Sequence, residues 1–559
     1  MAELAAAAGV VAPEKAASLR TVVAASSLGA TFEWYDFFVF GSLTQVVSKT
    51  FFSGLNETAG YIAALALFGV GFAFRPIGAL AFGRIGDRVG RKGAFLITVA
   101  LMGGATVAIG LLPSYATAGI AAPILLLAMR IVQGFALGGE YGGAAIYVAE
   151  HAPSNARGRS TSWVQTAAAF GLFGALLVIL LTRLMLGKAF GPAAFDAWGW
   201  RIPFLFSAGL LAVSIFMRMK LQESPTFATM KEEGGLSAAP FTEAFGRWKN
   251  LKLVLLALVA VMFAQGAVWY TAFFYVQTFM EKFLKVEATT INGLMMAIVA
   301  ASAPLYVFFG WLSDKWGRKP VMLAGMTLML VAYFPGFHML AGTLNPALAE
   351  AQAAAPATVI ADPADCSLQF DPVGKASFTS SCDIAKSVLA NAGVSYINEA
   401  GQPGQLAIVR VGLATIPSLD ARGAPKDVAK AIKATVEGHI KEGLARAGYP
   451  AKADPKRMNL PGAFGVLMIF VVASTALFGP IAAFLVELFP TRIRYTALSL
   501  PYHIGTGWVG GFVPFTAFAI VASVGNIYSG LWYPFAFTAI ACATCLFLVP
   551  ETLGRRLDQ

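Results

Sequence analysis

Five ionisable residues sit where an apolar chain has least use for them. Glu33 and Asp36 lie three apart in Phe32-Glu33-Trp34-Tyr35-Asp36-Phe37-Phe38, so a helix puts both carboxyls on one face. Arg75 precedes Pro76 in a second apolar run, and Arg130, Gln133, Leu137, Glu140 and Tyr141 follow at helical spacing in a third. In hydrocarbon each charge costs on the order of 2.5–3.5 kcal/mol unless it faces a partner or a cavity, which makes such residues functional candidates by default. The chemistry they offer is ion exchange. A guanidinium beside a carboxyl holds it ionised, and a substrate carboxylate that takes the guanidinium releases the acid to bind a proton. That is symport in outline. One charge moving with the membrane potential gains about 2.3 kcal/mol per 100 mV, against about 1.4 kcal/mol for tenfold accumulation of a neutral solute. The plain alternative is a buried salt-bridge network that only ties helices together.

Glu33 and Asp36 are therefore the candidate proton carriers, and Tyr35, Arg75, Arg130, Gln133 and Glu140 candidate substrate contacts. Gln265, Trp269 and Tyr270, with Tyr502 and His503, add amide, imidazole and aromatic groups from two later runs. Singly these are weak, because an aromatic in a membrane helix is more often packing or an interface anchor. Gly134, Gly138 and Gly142 repeat every four residues, a spacing that lets helices approach closely. No metal site is read from the sequence; Cys542 and Cys545 have no His or acid nearby. No cofactor is expected, and the coupling ion would be H+.

The elements that hold these residues follow from composition. Of 559 residues 57% are hydrophobic and only 13% charged, too few polar groups to cover a soluble surface of that size. Runs long enough to cross a bilayer fall at 21–48, 58–82, 94–113, 119–149, 161–186, 201–219, 251–280, 289–311, 321–343, 462–486, 495–523 and 530–549. Twelve spans put both termini on one side. That side also holds most short-loop cations, among them Arg84, Arg88, Arg91, Lys92, Arg157, Arg159, Arg218, Lys220, Lys315, Arg318, Lys319, Arg492 and Arg494, so it is the cytoplasmic side. The net charge of +11 is thus topological, and no basic stripe for nucleic acid remains. Residues 1–20 hold two acids, and Glu33 and Asp36 interrupt the run behind them, so the first span is expected to stay.

The loops repeat. Gly83-Arg84-Ile85-Gly86-Asp87-Arg88-Val89-Gly90-Arg91-Lys92 returns 227 residues later as Gly310-Trp311-Leu312-Ser313-Asp314-Lys315-Trp316-Gly317-Arg318-Lys319. A weaker echo sets Arg157-Gly158-Arg159 against Arg492-Ile493-Arg494, 335 residues on. The mismatch of 108 residues places an insertion in the second half, where the chain turns polar. Asp87 or Asp314 can accept from a helix N-terminus or an arginine, and Gly90 and Gly317 permit a tight turn, so gating is expected at Asp87, Arg88, Arg91, Lys92, Asp314, Arg318, Lys319, Arg492 and Arg494.

The expected organisation is a tail at 1–20, a six-helix bundle at 21–219, a cytoplasmic linker at 220–250, helices seven to nine at 251–343, an inserted extracytoplasmic domain at 344–460, helices ten to twelve at 461–549 and a cytoplasmic tail at 550–559. The insertion carries twelve Lys/Arg against eleven Asp/Glu, so its charges nearly cancel. It reads as a small α/β or mainly α domain, with helices at 383–392 and 426–447 and a strand at 405–413. A disulfide is expected between Cys366 and Cys382, contributing about 3 kcal/mol on the chain-entropy model. His439 has no nucleophile beside it, so no hydrolase is read there.

With its Gly-x-x-x-Asp-x-x-Gly-Arg-Lys loops the chain resembles the major facilitator superfamily, and within it the metabolite:proton symporter family of bacterial permeases. The further matching residues are Glu33 to Phe37, Arg75-Pro76-Ile77-Gly78, Arg130-Ile131-Val132-Gln133-Gly134, Gly138 to Gly143, Trp200 to Phe204, Glu487 to Tyr495 and Pro550-Glu551-Thr552. The resemblance covers nearly all but 344–460. It implies an all-α membrane fold of twelve helices in two six-helix pseudo-repeats, alternating access, and uptake of small metabolites with protons, in the bacterial inner membrane. Proton-linked roles for Glu33 and Asp36 and substrate roles for Arg75 and Arg130 are what it implies for the site. The main functional expectation is proton-coupled uptake of a small organic acid, from the Arg75 and Arg130 pair. An osmolyte carrier for proline- or betaine-type zwitterions is the alternative, with aromatics holding the amine. A membrane-anchored sensor acting through the insertion is the third reading. A monomer is expected, not an enzyme, with lipid, protons and a metabolite as partners and 344–460 as a surface for any extracytoplasmic partner.

Overall fold

The computed structural model describes residues 18–53, 57–219, 223–367 and 378–557. Most of the 1–20 tail, residues 220–222 of the linker, the centre of the Cys366–Cys382 loop and the last two residues lie outside them. Two long helices open the chain, α1 (Leu19–Ser42) and α2 (Glu57–Arg88). The rest of the first half is α3 (Arg91–Leu111), α4 (Ala121–His151), α5 (Arg157–Phe190) and α6 (Arg201–Met219). Next come α7 (Trp248–Phe283), α8 (Ala288–Trp316) and α9 (Arg318–Leu344). Ten helical stretches among the described residues are long and apolar enough to cross a membrane, and α1 and α2 pack in the same bundle.

Most helices run past the apolar stretches that announce them. Gly83-Arg84-Ile85-Gly86-Asp87-Arg88 is not a loop but the last turns of α2, and only Val89 and Gly90 separate it from α3. The reversal between them is made at Gly90, whose φ of 135° a side chain rarely adopts; Gly317, at φ 101°, makes the same turn between α8 and α9. Ser18 starts α1 by accepting the Thr21 amide on its hydroxyl.

The insertion adds to the helical bundle a four-stranded sheet. Its strands are β1 (Ala357–Ala361), β2 (Tyr396–Ala400), β3 (Ile408–Val411) and β4 (Ala414–Pro417), in the order β2-β1-β3-β4. Helix α10 (Ser381–Asn391) and helix α11 (Lys426–Arg446) pack against it. The strand expected at 405–413 is present as the shorter β3, ended at Gly412, whose φ of 57° turns the chain into a hairpin with β4. Cys366 and Cys382 are disulfide-bonded. Hydrogen bonds tie the unit to the second half of the chain: the Tyr396 amide to the Gly525 carbonyl at 2.6 Å, Asn398 Nδ2 to the Val524 carbonyl at 2.8 Å, and Lys285 Nζ to the Asn391 carbonyl at 2.5 Å.

The chain then returns as α12 (Leu460–Leu488), α13 (Thr491–Val521) and α14 (Ser529–Leu548). Within the first half α2 lies along α4 and α1 along α5; between halves α5 meets α8 and α2 meets α13. This exchange has the form of a pseudo-twofold. Close contact of α2 with α4 depends on the glycine row, since a Cβ on Gly134 or Gly138 would run into the backbone of Gly71 or Arg75.

Candidate functional site

The buried charges converge at the centre of the first half. Glu33 on α1 pairs with Arg218 of α6 at 2.6 Å, and Arg218 also lies over the Phe95 ring at 3.5 Å. Glu140 on α4 approaches the Glu33 carboxyl and lies in electrostatic range of Arg218 and Arg75. Two carboxyls thus face two guanidiniums. Asp36, one turn from Glu33, faces the hydroxyls of Ser207 and Thr106. From Thr106 a chain of hydrogen bonds leads away: Gln133 Nε2 donates to the Thr106 hydroxyl at 2.8 Å, and Arg130 Nη1 donates to Gln133 Oε1 at 2.7 Å. Arg130 also donates to the Leu67 carbonyl and stacks over Phe40 at 4.1 Å.

Arg75 differs from Arg130 in its hydrogen bonding. Its guanidinium is 1% exposed and caged by the rings of Phe72 at 4.3 Å, Phe37 at 4.6 Å and Trp34 at 5.8 Å. Its Nε and Nη2 have no hydrogen-bond partner among the described residues. A buried guanidinium with unsatisfied donors is a site for an anion. It lines a cavity of about 10 Å3 together with Trp34, Glu140, Tyr141, Tyr502 and His503. That is room for about one water and too little for a metabolite.

The second half meets this cavity with neutral groups: Tyr502 and His503 line it, whereas the expected contacts Gln265, Trp269 and Tyr270 are not among its lining residues and pack around it. Tyr502 of α13 stacks on Tyr141 at 3.5 Å, Trp269 of α7 meets Trp34 at 6.2 Å, and Tyr270 meets Phe72 at 5.7 Å. The Tyr502 hydroxyl and both amide atoms of Gln265 are buried without hydrogen-bond partners among the described residues, while the Tyr270 hydroxyl lies near the Arg75 guanidinium and the His503 ring near the Gly138 backbone. Helix α7 widens into π-helical turns at Leu258–Met262, Thr271–Tyr275 and Phe279–Phe283, and α13 does so at Ile504–Gly510, where its glycines weaken regular helix.

At one end of the bundle the halves are latched crosswise. Asp87 accepts from the amides of Tyr495 and Thr496 at 3.2 and 2.9 Å, and Asp314 from those of Gly158 and Arg159 at 2.8 and 2.7 Å. Each aspartate thus caps a helix of the opposite half. Arg157 binds Glu487 at 2.8 Å, and Arg494 binds Glu150 at 2.8 Å. Glu487 also takes Arg318 at 3.1 Å, and Arg318 reaches Asp314 at 2.6 Å. Glu551 accepts from the Arg318 and Lys319 amides and Glu223 from the Lys92 amide, each beside one of the turning glycines.

Several expected residues take other places. Tyr35 does not line the cavity; its hydroxyl donates to the Pro203 carbonyl at 2.8 Å. Arg130 and Gln133 satisfy each other and leave Arg75 as the guanidinium at the cavity. Arg492 is not the counterpart of Arg157: it pairs with Glu243 at 3.0 Å, and Arg494 takes the equivalent position, 337 residues on rather than 335. Arg88 is exposed, Lys92 and Lys319 donate to the carbonyls of Met219 and Leu546, and the Arg91 side chain lies outside the described residues. Reading from sequence gave no site role to Arg218, Glu487 and Glu551, which it named only as a loop cation and as motif residues, and missed Glu150 and Glu223 altogether. For Glu150 and Glu487 a signal existed, since Glu150-x-x-Pro153-x-x-x-Arg157 recurs as Glu487-x-x-Pro490-x-x-x-Arg494.

Two helical halves latched crosswise around a closed central cavity define the major facilitator fold. The model of the sugar (and other) transporter family matches residues 21–239, 228–360 and 447–559, and the chain belongs to that family. Among curated relatives, the glycine betaine/proline/ectoine/pipecolic acid transporter OusA of Dickeya dadantii (strain 3937) is 36% identical over 335 residues, 58% of this chain and 65% of that protein. The proline/betaine transporter of Escherichia coli (strain K12) matches to the same extent. The shikimate transporter of that strain is 34% identical over 324 residues, 57% of this chain and 72% of its own. The match thus spans a little under two thirds of the length of the first two relatives. In fold, the proton:xylose symporter XylE superposes with a TM-score of 0.61 at 16% identity, covering 97% of this chain and 98% of its own.

Proposed function

We propose that the protein is a proton-coupled secondary transporter that takes up a small zwitterion of the proline or betaine type by alternating access. The observation that carries this is Arg75, a buried guanidinium with unsatisfied donors, set among aromatic rings and beside Glu140. A carboxylate would take the guanidinium, and the ammonium would lie against the Trp34 and Tyr502 rings with Glu140 as counter-ion. Arg130 is already satisfied, so a second carboxylate finds no matching anchor, which favours a zwitterion over a di- or tricarboxylate. The relatives that carry betaine and proline support the same choice; the shikimate relative keeps an organic acid as the second reading.

Three acids, Glu33, Asp36 and Glu140, stand against three guanidiniums, Arg75, Arg130 and Arg218. A zwitterion adds no net charge, so the proton brings the charge that the membrane potential pulls inward. Glu33 and Glu140, sharing Arg218, and Asp36 beside them are the proposed proton carriers. We place α1 and α2 in the membrane with the other ten helices, the latch and both termini on the cytoplasmic side of a bacterial inner membrane, and 344–460 outside it, in a monomer.

The test is uptake by proteoliposomes under an imposed pH gradient, acid outside, with proline, glycine betaine and shikimate. Accumulation of the zwitterions that collapses with the gradient is expected, and Glu33→Gln and Asp36→Asn should impair driven uptake more than counterflow. Accumulation of shikimate alone would replace the reading with the organic-acid one, and gradient-independent equilibration would remove proton coupling.

A further inference from the structure

A second cavity, of about 720 Å3, opens between α1 and α5 where both helices begin. Arg20 and Arg159, in the first turns of the two helices, line it. Both are exposed, and neither guanidinium has a carboxylate partner among the described residues. The main chain at Arg159 is held, because its amide donates to Asp314 at 2.7 Å. Deeper in the bundle the walls turn apolar at Leu28, Trp163 and Phe170, which are 46%, 43% and 47% exposed. Leu28 is eight residues beyond Arg20 and Phe170 eleven beyond Arg159, or roughly 12 and 16 Å along their helices at 1.5 Å per residue. Ser27, on the wall between, has a hydroxyl without a partner among the described residues.

We propose that this cleft binds an anionic phospholipid, with the phosphate between Arg20 and Arg159 and an acyl chain along Leu28, Trp163 and Phe170. The two ends of the cleft require an amphiphile. A free anion would satisfy the arginines and leave the apolar wall bare, while a neutral lipid would cover the wall and leave two cations unmatched. The cleft lies on the face that carries the loop cations, where an anionic leaflet would meet it. The proposal is independent of what the central cavity transports.

The full-length protein in neutral detergent is titrated with phosphatidylglycerol, phosphatidylcholine or inorganic phosphate, while bound lipid is read by native mass spectrometry and the unfolding midpoint is followed. Phosphatidylglycerol should bind and raise the midpoint, and the other two should not. Arg20→Gln and Arg159→Gln should each weaken that binding about fivefold, the share of one surface cation, with the lipid-free midpoint unchanged. Arg183→Gln, at the far end of α5, should leave it unaltered. Equal response to phosphatidylcholine, the same shift from phosphate alone, or full binding by the double variant would overturn the proposal. So would a phosphatidylglycerol effect that appears only when residues 2–17 are removed, since the chain's own N-terminal segment would then be the occupant.

Discussion

The two halves agree at the latch and differ at the centre. At the latch each contributes the same parts: an aspartate that caps the opposite helix, a glutamate that takes the opposite arginine, and a glycine turn backed by a further glutamate. At the centre the first half supplies Glu33, Asp36, Arg75, Arg130, Glu140 and Arg218, while the second half offers the cavity no carboxylate, lysine or arginine among the described residues. Repetition has been kept where the halves must recognise each other and lost where they do different work. The charged half can hold an ion and the neutral half can shut over it. A neutral aromatic face can leave a buried charge without breaking an ion pair, which would cost several kcal/mol.

The comparison can be broken first at the latch. Glu487→Gln should lower the thermal midpoint most, by the about 3–5 kcal/mol that a stranded buried charge costs, because Arg157 and Arg318 both depend on it. Glu150→Gln, which strands Arg494 alone, should cost less. Equal losses would mean that the halves are equivalent even in detail.

At the centre the ordering should be steep. Arg75→Gln removes a charge-assisted contact worth about 1.5–3 kcal/mol, so the apparent affinity for a zwitterion should fall about 10- to 100-fold in proteoliposome uptake. Tyr502→Leu removes one ring and about 0.5–2 kcal/mol of cation attraction, and should weaken a quaternary amine more than shikimate. If Tyr502→Leu costs more than Arg75→Gln, the division between a charged and a neutral half fails.

The smallest effect concerns the hold of the inserted unit on the second half. Burial, with Lys282 and Lys441 near by, pulls the Lys285 amine down to about 8. From there up to the usual lysine range the folded chain binds fewer protons than the unfolded one, so stability rises with pH across that window. Midpoints between about pH 7.5 and about pH 9.5 should climb in the native chain and lose that climb in Lys285→Met.

How far the sequence could be read depended on how local each signal was. Long apolar runs, the twin Gly-x-x-x-Asp loops and the two insertion cysteines announce themselves within one segment, and the corresponding helices, turns and disulfide lie there. Partnerships between distant segments did not. Arg218 was legible only as a loop cation, because the α6 sequence says nothing of Glu33, 185 residues earlier. Arg492 and Arg494 both suit an arginine echo, and only the crossed pairing to Glu150 and Glu243 separates them. Likewise Arg75 and Arg130 look alike in sequence. Their difference is whether Gln133 and a carbonyl are within reach.

The anchorage of the inserted sheet has a practical side. Its bonds run through Tyr396, Asn398 and Asn391 to Gly525, Val524 and Lys285, all in the second half. In the alternating-access cycle proposed above, the sheet would travel with that half as a pointer fixed to one hand of a clock. Leu413, fully exposed at the turn of the β3–β4 hairpin, is therefore a place for a fluorescent reporter that would register the working cycle without entering the bundle.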